Sequence, residues 1–471
     1  MTPLAVGAGP VLGAAPVAPL PGAALLVLLA QCAALLATAT VLGRLAARCR
    51  LPAVTGELCA GIVLGPTVLP HVAPGVAQWL FPHDPAPVHL LDAVTQLGVL
   101  LFVGLTGIHC DLGLIRRSKR EIAAVGLGGL TLPLLAGLGV GLLLPASMFG
   151  PTAEPAVRAG FLGVALCVSA IPVIAKILAD LKLLHRDVAQ LSLGAALLDD
   201  IAGWLLLSVV SMMATTGVRA GDLAVALTVV VAFLLASATV APVALGAILR
   251  AVGRTGDQGA TTAAVVTMIL SASAAAVALG LEAVFGAFLC GLAISASGMP
   301  VAESLRGLRT VVSTVLAPLF FATAGLRMDL GALARPAVLG TALLVLAVAV
   351  GGKFLGVFVG AFATGLDRWQ ALALAGSLNA RGVIQVIIAL TGLRLGVLSP
   401  AMYTVIVLVA IATSAMAAPC LRYAAAHLPT TARERARAED VPTAASGSPA
   451  PGTPRPDPPP PPRSSRRAGG P

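Results

Sequence analysis

The sequence predicts an all-α polytopic membrane protein of about thirteen transmembrane helices, built as inverted six-helix repeats, and three observations predict it. Of its 471 residues 58% are hydrophobic and 11% charged, with a mean hydropathy of +0.97, where soluble domains carry about 25% charge. Predominantly apolar windows of about 20 residues, the length that crosses the hydrocarbon core, recur along almost the whole chain. Two of those windows are interrupted by helix-breaking residues at corresponding places.

The first segment, residues 1–22, is rich in Pro, Gly and Ala and has no basic n-region. It reads as an extracytoplasmic leader rather than a cleaved signal. Residues 23–426 form the membrane domain, with thirteen windows centred near Leu35, Ile62, Leu100, Leu132, Val168, Leu198, Phe233, Leu270, Leu289, Ala317, Val350, Ala380 and Val409. Their short links leave no room for a soluble domain inside the bundle. From His427 to Pro471 the chain turns rich in Pro, Arg, Ala, Ser and Thr and contains a proline run from Pro458 to Pro462. Such a composition cannot bury enough apolar surface to fold, so this segment is expected to be a disordered cytoplasmic tail.

Thirteen windows divide as six, one and six, and the odd helix gives the second set the opposite orientation to the first. That is the arithmetic of an inverted repeat. Net charge is +10, and with the N-terminus outside, fourteen Lys and Arg residues fall in cytoplasmic loops against five in the opposite loops. The positive-inside rule therefore places the N-terminus outside and the C-terminus in the cytoplasm of a multi-pass protein of the cell membrane. Loop position accounts for these basic residues, and nothing in their pattern points to nucleic acid.

The fifth window of each set carries the interruption. In CVSAIPVIAK, Pro172 follows Ser169; in SLNARGVIQV, Asn379, Arg381 and Gly382 stand together. A break at this depth exposes backbone groups and half-helix dipoles, which are tolerated only where protein or cavity water satisfies them. Paired breaks are the strongest sequence pointer to a transporter site.

The next window, LSLGAALLDDIAGWLLLSVV, holds the adjacent carboxylates Asp199 and Asp200. One aspartate at a helix centre costs roughly 2.5–3.5 kcal/mol, so two demand a polar cavity and a positive partner. Adjacent helical residues point about 100° apart; one carboxylate can therefore meet a fixed cation while the other faces the cavity. Lys353, in AVAVGGKFLGVFVG, is one of only four lysines and supplies a cation that can lose its proton when desolvated. Arg381 cannot do so readily, and is expected to neutralise helix ends or carboxylates around the break. Ser169 offers a hydroxyl to a cation or to freed backbone. Glu57 and Lys176 are expected to cap or snorkel near an interface.

Other classes lack their signatures. The seven cysteines are scattered singly with no CxxC or His/Cys spacing, so no zinc site or disulfide framework is expected. P-loop, nucleophile-elbow and metalloprotease motifs are absent, as is a carbonyl filter of the TVGYG type. No cofactor is expected. No metal site is expected either, beyond a place for a monovalent cation at the carboxylates.

GELCAGIVLGPTVL, CVSAIPVIAKILADLKLLHRDVAQLSLGAALLDDIAGW, FGAFLCGLAIS, APLFFATAGLRMDL, GGKFLGVFVG and the NARG segment occur in order between Leu51 and Tyr423. In these the chain resembles the second branch of the monovalent cation/proton antiporter superfamily, with its Kef-type, sodium/proton and plant cation/H+ exchangers. The resemblance implies a thirteen-helix fold with crossed discontinuous helices, a homodimer, and elevator-like movement of a six-helix core. It implies exchange of Na+ or K+ for H+, with Asp200 the principal cation- and proton-binding carboxylate, Asp199 its neighbour paired with Lys353, and Ser169 contributing from the unwound helix. The double carboxylate resembles electrogenic sodium/proton exchangers, whereas the surrounding motifs resemble Kef and plant members. No nucleotide-binding regulatory domain follows the bundle, which argues against ligand-gated efflux. A cation-sensing membrane protein, or the same fold carrying an organic solute, remains open at this point.

Overall fold

A computed structural model describes residues 21–49, 51–82, 85–109, 119–151, 153–217, 220–254, 256–429 and 434. Residues 1–20 of the leader and nearly all of the tail lie outside the described residues, as do Cys110, Arg116 and Arg117. Residues up to Pro429 form one compact unit, and of the second, Thr430–Pro471, only Glu434 is described.

The helices, in order, are α1 (Gly22–Arg48), α2 (Ala53–Leu64), α3 (Pro85–Ile108), α4 (Lys119–Leu143), α5 (Pro155–Cys167), α6 (Ile171–Asp180), α7 (Asp187–Thr216) and α8 (Ala220–Gly253). They continue as α9 (Gln258–Ala278), α10 (Ala283–Ala296), α11 (Arg306–Leu326), α12 (Pro336–Ala363), α13 (Arg368–Leu378), α14 (Val383–Arg394) and α15 (Pro400–Ala425). Among the described residues no strand occurs beyond one isolated bridge, Phe149 with Leu398. Among the described residues nine helices are long and apolar enough to span a bilayer, or ten if α13 and α14 count as one bent span. Three shorter apolar helices, α2, α5 and α10, stand where the windows around Ile62, Val168 and Leu289 were expected.

The helices associate in two sets. In one, α4 packs on α12 and α5, α13 on α15 and α12, and α7 on α4 and α5; in the other, α1 packs on α2, α2 on α11, α3 on α10 and α9 on α10. Contact between the sets is sparse and runs through α7 against α10, α14 against α11 and α15 against α2, while α8 touches α7, α9 and α10. Large apolar side chains on α1 and α8, including Leu26, Leu29, Val240 and Val243, face outward, as helices solvated by lipid tails require.

Both expected interruptions are real breaks. α5 stops at Cys167, Val168 is extended at φ −74° and ψ 146°, and α6 begins at Ile171. Pro172 falls in the first turn of α6, where a missing N–H is tolerated. α13 starts at a capping box in which the Asp367 carboxylate accepts from the N–H groups of Trp369 and Gln370. It ends at Leu378, and α14 resumes at Val383 bent by 45°. The two breaks touch, the Ala170 N–H donating to the Ala380 carbonyl at 3.1 Å.

α12 reaches this crossing because small residues let it approach α4 closely. A Cβ on Gly356 would collide with the Gly128 carbonyl, and one on Gly128 with the Gly356 carbonyl, the close-contact logic of membrane helix pairs. Lys353 lies one turn earlier on α12. Gly356→Leu is therefore expected to wedge α4 from α12 and to cost about 1–3 kcal/mol, read as a lowered thermal midpoint in detergent, whereas the open position Gly351→Ala leaves the midpoint near wild type.

Candidate functional site

The crossing gathers the ionisable residues singled out in the sequence. Asp199 and Asp200 on α7, Lys353 on α12, Arg381 in the second break and Ser169 in the first are all 1% exposed or less. Lys353 Nζ donates to Asp199 Oδ2 at 2.6 Å and to the Cys167 carbonyl at 2.8 Å. That carbonyl belongs to the last turn of α5, an orphan acceptor at the negative end of a half-helix. Arg381 follows the same rule. Its guanidinium donates to the carbonyls of Ala165, also in α5, at 3.0 Å and of Ala349 in α12 at 3.2 Å. The Ser414 hydroxyl in turn donates to the Arg381 carbonyl. The hydrogen bonds of the Arg381 guanidinium thus go to backbone carbonyls, one of them in the last turn of α5.

Ser169 Oγ lies 2.6 Å from Asp199 Oδ2 and 2.6 Å from the Leu378 carbonyl at the end of α13. A hydroxyl has one proton, so Ser169 serves one of these two oxygens at a time, while the Asp199 Oδ2 it faces also accepts from Lys353.

Asp200 is oriented differently. It faces the backbone N–H of Ile171, at the positive N-terminal end of half-helix α6. On its other side is a narrow crevice walled by Phe102 and Thr106 of α3, Trp204 of α7, Phe288 of α10, and Val383 and Ile384 of α14. Those walls come from both helix sets, so Asp200 sits at their boundary. The crevice is about wide enough for one water molecule.

The adjacent carboxylates therefore occupy unlike surroundings, as a 100° turn between neighbours dictates. One is tied to a fixed cation, and the other is aimed at a gap. Asp199 Oδ1 and Asp200 Oδ1 have no hydrogen-bond partner, and neither do Ser377 Oγ and Asn379 Oδ1 beside the second break. Buried oxygens left in this state are unfavourable and are the ligand type that alkali cations take. The carbonyls of Cys167 and Leu378 could not be picked out from the sequence, since a peptide oxygen has no residue signature. Lys176 is exposed.

Buried carboxylates at crossed helix breaks within an apolar helical bundle define a multi-pass membrane protein of the carrier class. The chain belongs to the sodium/hydrogen exchanger family, whose transmembrane domain matches residues 33–423. Over 403 residues it is 32% identical to the Na(+)/H(+) antiporter NhaS4 of Synechocystis sp., covering 84% of this chain and 96% of that protein. It is 30% identical over 403 residues to Cation/H(+) antiporter 20 of Arabidopsis thaliana, covering 83% of this chain and 48% of the plant protein. The chain thus spans about half the length of that relative. Its fold is similar to that of the sodium proton antiporter MjNhaP1 from Methanocaldococcus jannaschii at pH 8, with a TM-score of 0.62, 14% identity, and coverage of 86% of this chain and 97% of that one.

Removing one partner of a buried pair strands the other charge. Lys353→Met is expected to destabilise the protein by about 3–5 kcal/mol, and adding Asp199→Asn to recover most of that loss. Thermal unfolding of the single and double variants in detergent checks this; additive losses would show that Lys353 and Asp199 are not coupled.

Proposed function

We propose that the protein is a secondary active antiporter that exchanges a monovalent cation, Na+ or K+, for H+ across the cell membrane by elevator-type alternating access. The observation that carries this reading is the Asp200 carboxylate, buried yet turned into the crevice between the two helix sets. The Asp199–Lys353 pair beside it already balances its own charge, leaving Asp200 to be neutralised by a proton or by the cation. Both cannot occupy it fully, and that exclusion couples the two fluxes.

Several finer features belong to the same proposal. The short and broken helices complete thirteen crossings, with α5–α6 and α13–α14 as equivalent discontinuous spans of an inverted repeat. The set containing α7, α12 and both breaks is the moving core, and the set containing α1, α3 and α11 is the scaffold of a homodimer; the sparse contact between sets supports the division. The charge of the loops supports an N-out, C-in orientation. Asp199 and Ser169 complete the cation- and proton-binding site beside Asp200, Lys353 is the charge partner of Asp199, and Arg381 is the fixed charge of the crossing. The cation's oxygen ligands are Asp200 and the unpartnered oxygens around it. The cation/proton antiport of the relatives favours exchange of an alkali cation for a proton over carriage of an organic solute.

In proteoliposomes, Na+, K+ and Li+ are to be compared for their ability to drive proton flux reported by a pH-gradient dye. Asp200→Asn is expected to abolish cation-driven flux; a fully active Asp200→Asn protein would refute the assignment. Protons and cation share the site, so lowering the pH through its titration range raises the apparent KM for cation by about tenfold per unit for one competing proton. A KM that stays constant while only the maximal rate falls would place proton and cation at separate sites.

A further inference from the structure

α7, α10 and α14 converge at two levels, of which the crevice at Asp200 is the first. At the second, the Glu282 carboxylate just before α10 lies beside the hydroxyls of Ser211 on α7 and Thr391 on α14, within Coulombic range of the Arg394 guanidinium. The pairing of levels is consistent on all three helices. Trp204 meets Phe288 with ring centroids 6.3 Å apart, and one further stretch along the antiparallel pair Ser211 meets Glu282. Ile384 lines the first level and Thr391, two turns on, the second. At 1.5 Å per residue the levels at Asp200 and Ser211 are about 16 Å apart.

Asp200, Trp204, Ser208 and Ser211 fall at i, i+4, i+8 and i+11, which places them on one side of α7. Ser208 and Ser211 are 0% and 4% exposed; the Ser208 hydroxyl has no hydrogen-bond partner, and that of Ser211 is turned to Glu282 rather than to its own helix. Buried serines in membrane helices ordinarily return their proton to a backbone carbonyl four residues back, as Ser192 does on the same helix. Glu282 has no capping role either, since its side chain makes no hydrogen bond to the start of α10. At the same end of the bundle Asp92 is engaged by Arg327 at 2.6 and 2.7 Å, while no direct ion pair joins Glu282 to Arg394 among the described residues.

We infer that Glu282, with Ser208, Ser211 and Thr391, forms a second cation station on the external side of the path to Asp200. Trp204 and Phe288 close the path between the two stations, and Arg394 is a tethered cation that competes with the arriving ion for Glu282. The inference rests on the antiporter reading and on the orientation proposed with it. A carboxylate in a low-dielectric mouth concentrates cations, and hydroxyl oxygens replace part of their hydration shell. Glu282 belongs to the scaffold set, whereas Ser211, Thr391 and Arg394 belong to the core set. Displacement of one set past the other therefore assembles or dismantles the station.

The test measures cation KM separately at the two faces, in right-side-out and everted vesicles, for wild type, Glu282→Gln, Glu282→Asp and Arg394→Gln. Glu282→Gln is expected to raise the external KM by about tenfold with the internal KM and the maximal rate near wild type, and Glu282→Asp to restore most of the affinity. Arg394→Gln is expected to lower the external KM, because it removes the competitor. A Glu282–Arg394 contact that serves packing alone would impair both variants in the same direction at both faces, and that result, or an external KM unchanged in Glu282→Gln, overturns the station. Should Glu282→Gln fail to fold, the sign of the Arg394→Gln effect still decides. A wild-type protein with no cation-driven proton flux would defeat the antiporter reading itself, an outcome distinct from active wild type with unaltered variants.

Discussion

The buried ion pair between Lys353 and Asp199 is the contact on which the rest of the site depends. It brings together α12, α7 and, through the Cys167 carbonyl, the end of α5. Each of those groups would be costly in hydrocarbon alone: a lone ammonium, a lone carboxylate and an unsatisfied helix end. Together they satisfy one another. The pair also frees Asp200 from a structural role, because the fixed positive charge is already spent on its neighbour.

Helix polarity arranges the remaining groups. Basic side chains meet the carbonyl-rich ends of half-helices, Lys353 at Cys167 and Arg381 at Ala165, while Asp200 meets the N–H of Ile171 at the start of one. This is the macrodipole rule applied to fully buried groups, where screening by water and salt is weakest. The direct bond between Ala170 and Ala380 locks the two breaks to each other, so the half-helix ends keep their positions as a unit.

The sequence made these positions readable where residue chemistry conflicts with hydrocarbon. Asp199, Asp200, Lys353 and Arg381 stood out because charge in a long apolar window needs a reason, and both breaks stood out through Pro172 and the Asn379–Gly382 cluster. Helix length was less readable. α2, α5 and α10 have only 12, 13 and 14 residues, yet their windows look like full spans, because apolar extended segments and apolar helix share one hydropathy. The partners of Lys353 and Ser169 on the peptide backbone were hidden for a different reason, since any residue supplies a carbonyl. Glu282 was hidden by its position at the end of a window, where a carboxylate is unremarkable until α7 and α14 are seen to bring hydroxyls to it.

Unequal surroundings of two adjacent carboxylates explain how one helix turn can serve two tasks. If both aspartates faced the crevice, their mutual repulsion would hold one protonated and leave the other to a cation, with nothing to favour either assignment. Lys353 removes that degeneracy by engaging Asp199 from the side of α12, and the 100° turn between neighbours sends Asp200 toward α3 and α10. The open carboxylate then faces the boundary between the helix sets, while the charge balance that makes it tolerable lies within one set. In the elevator movement proposed above, the water that reaches Asp200 changes without breaking the ion pair behind it.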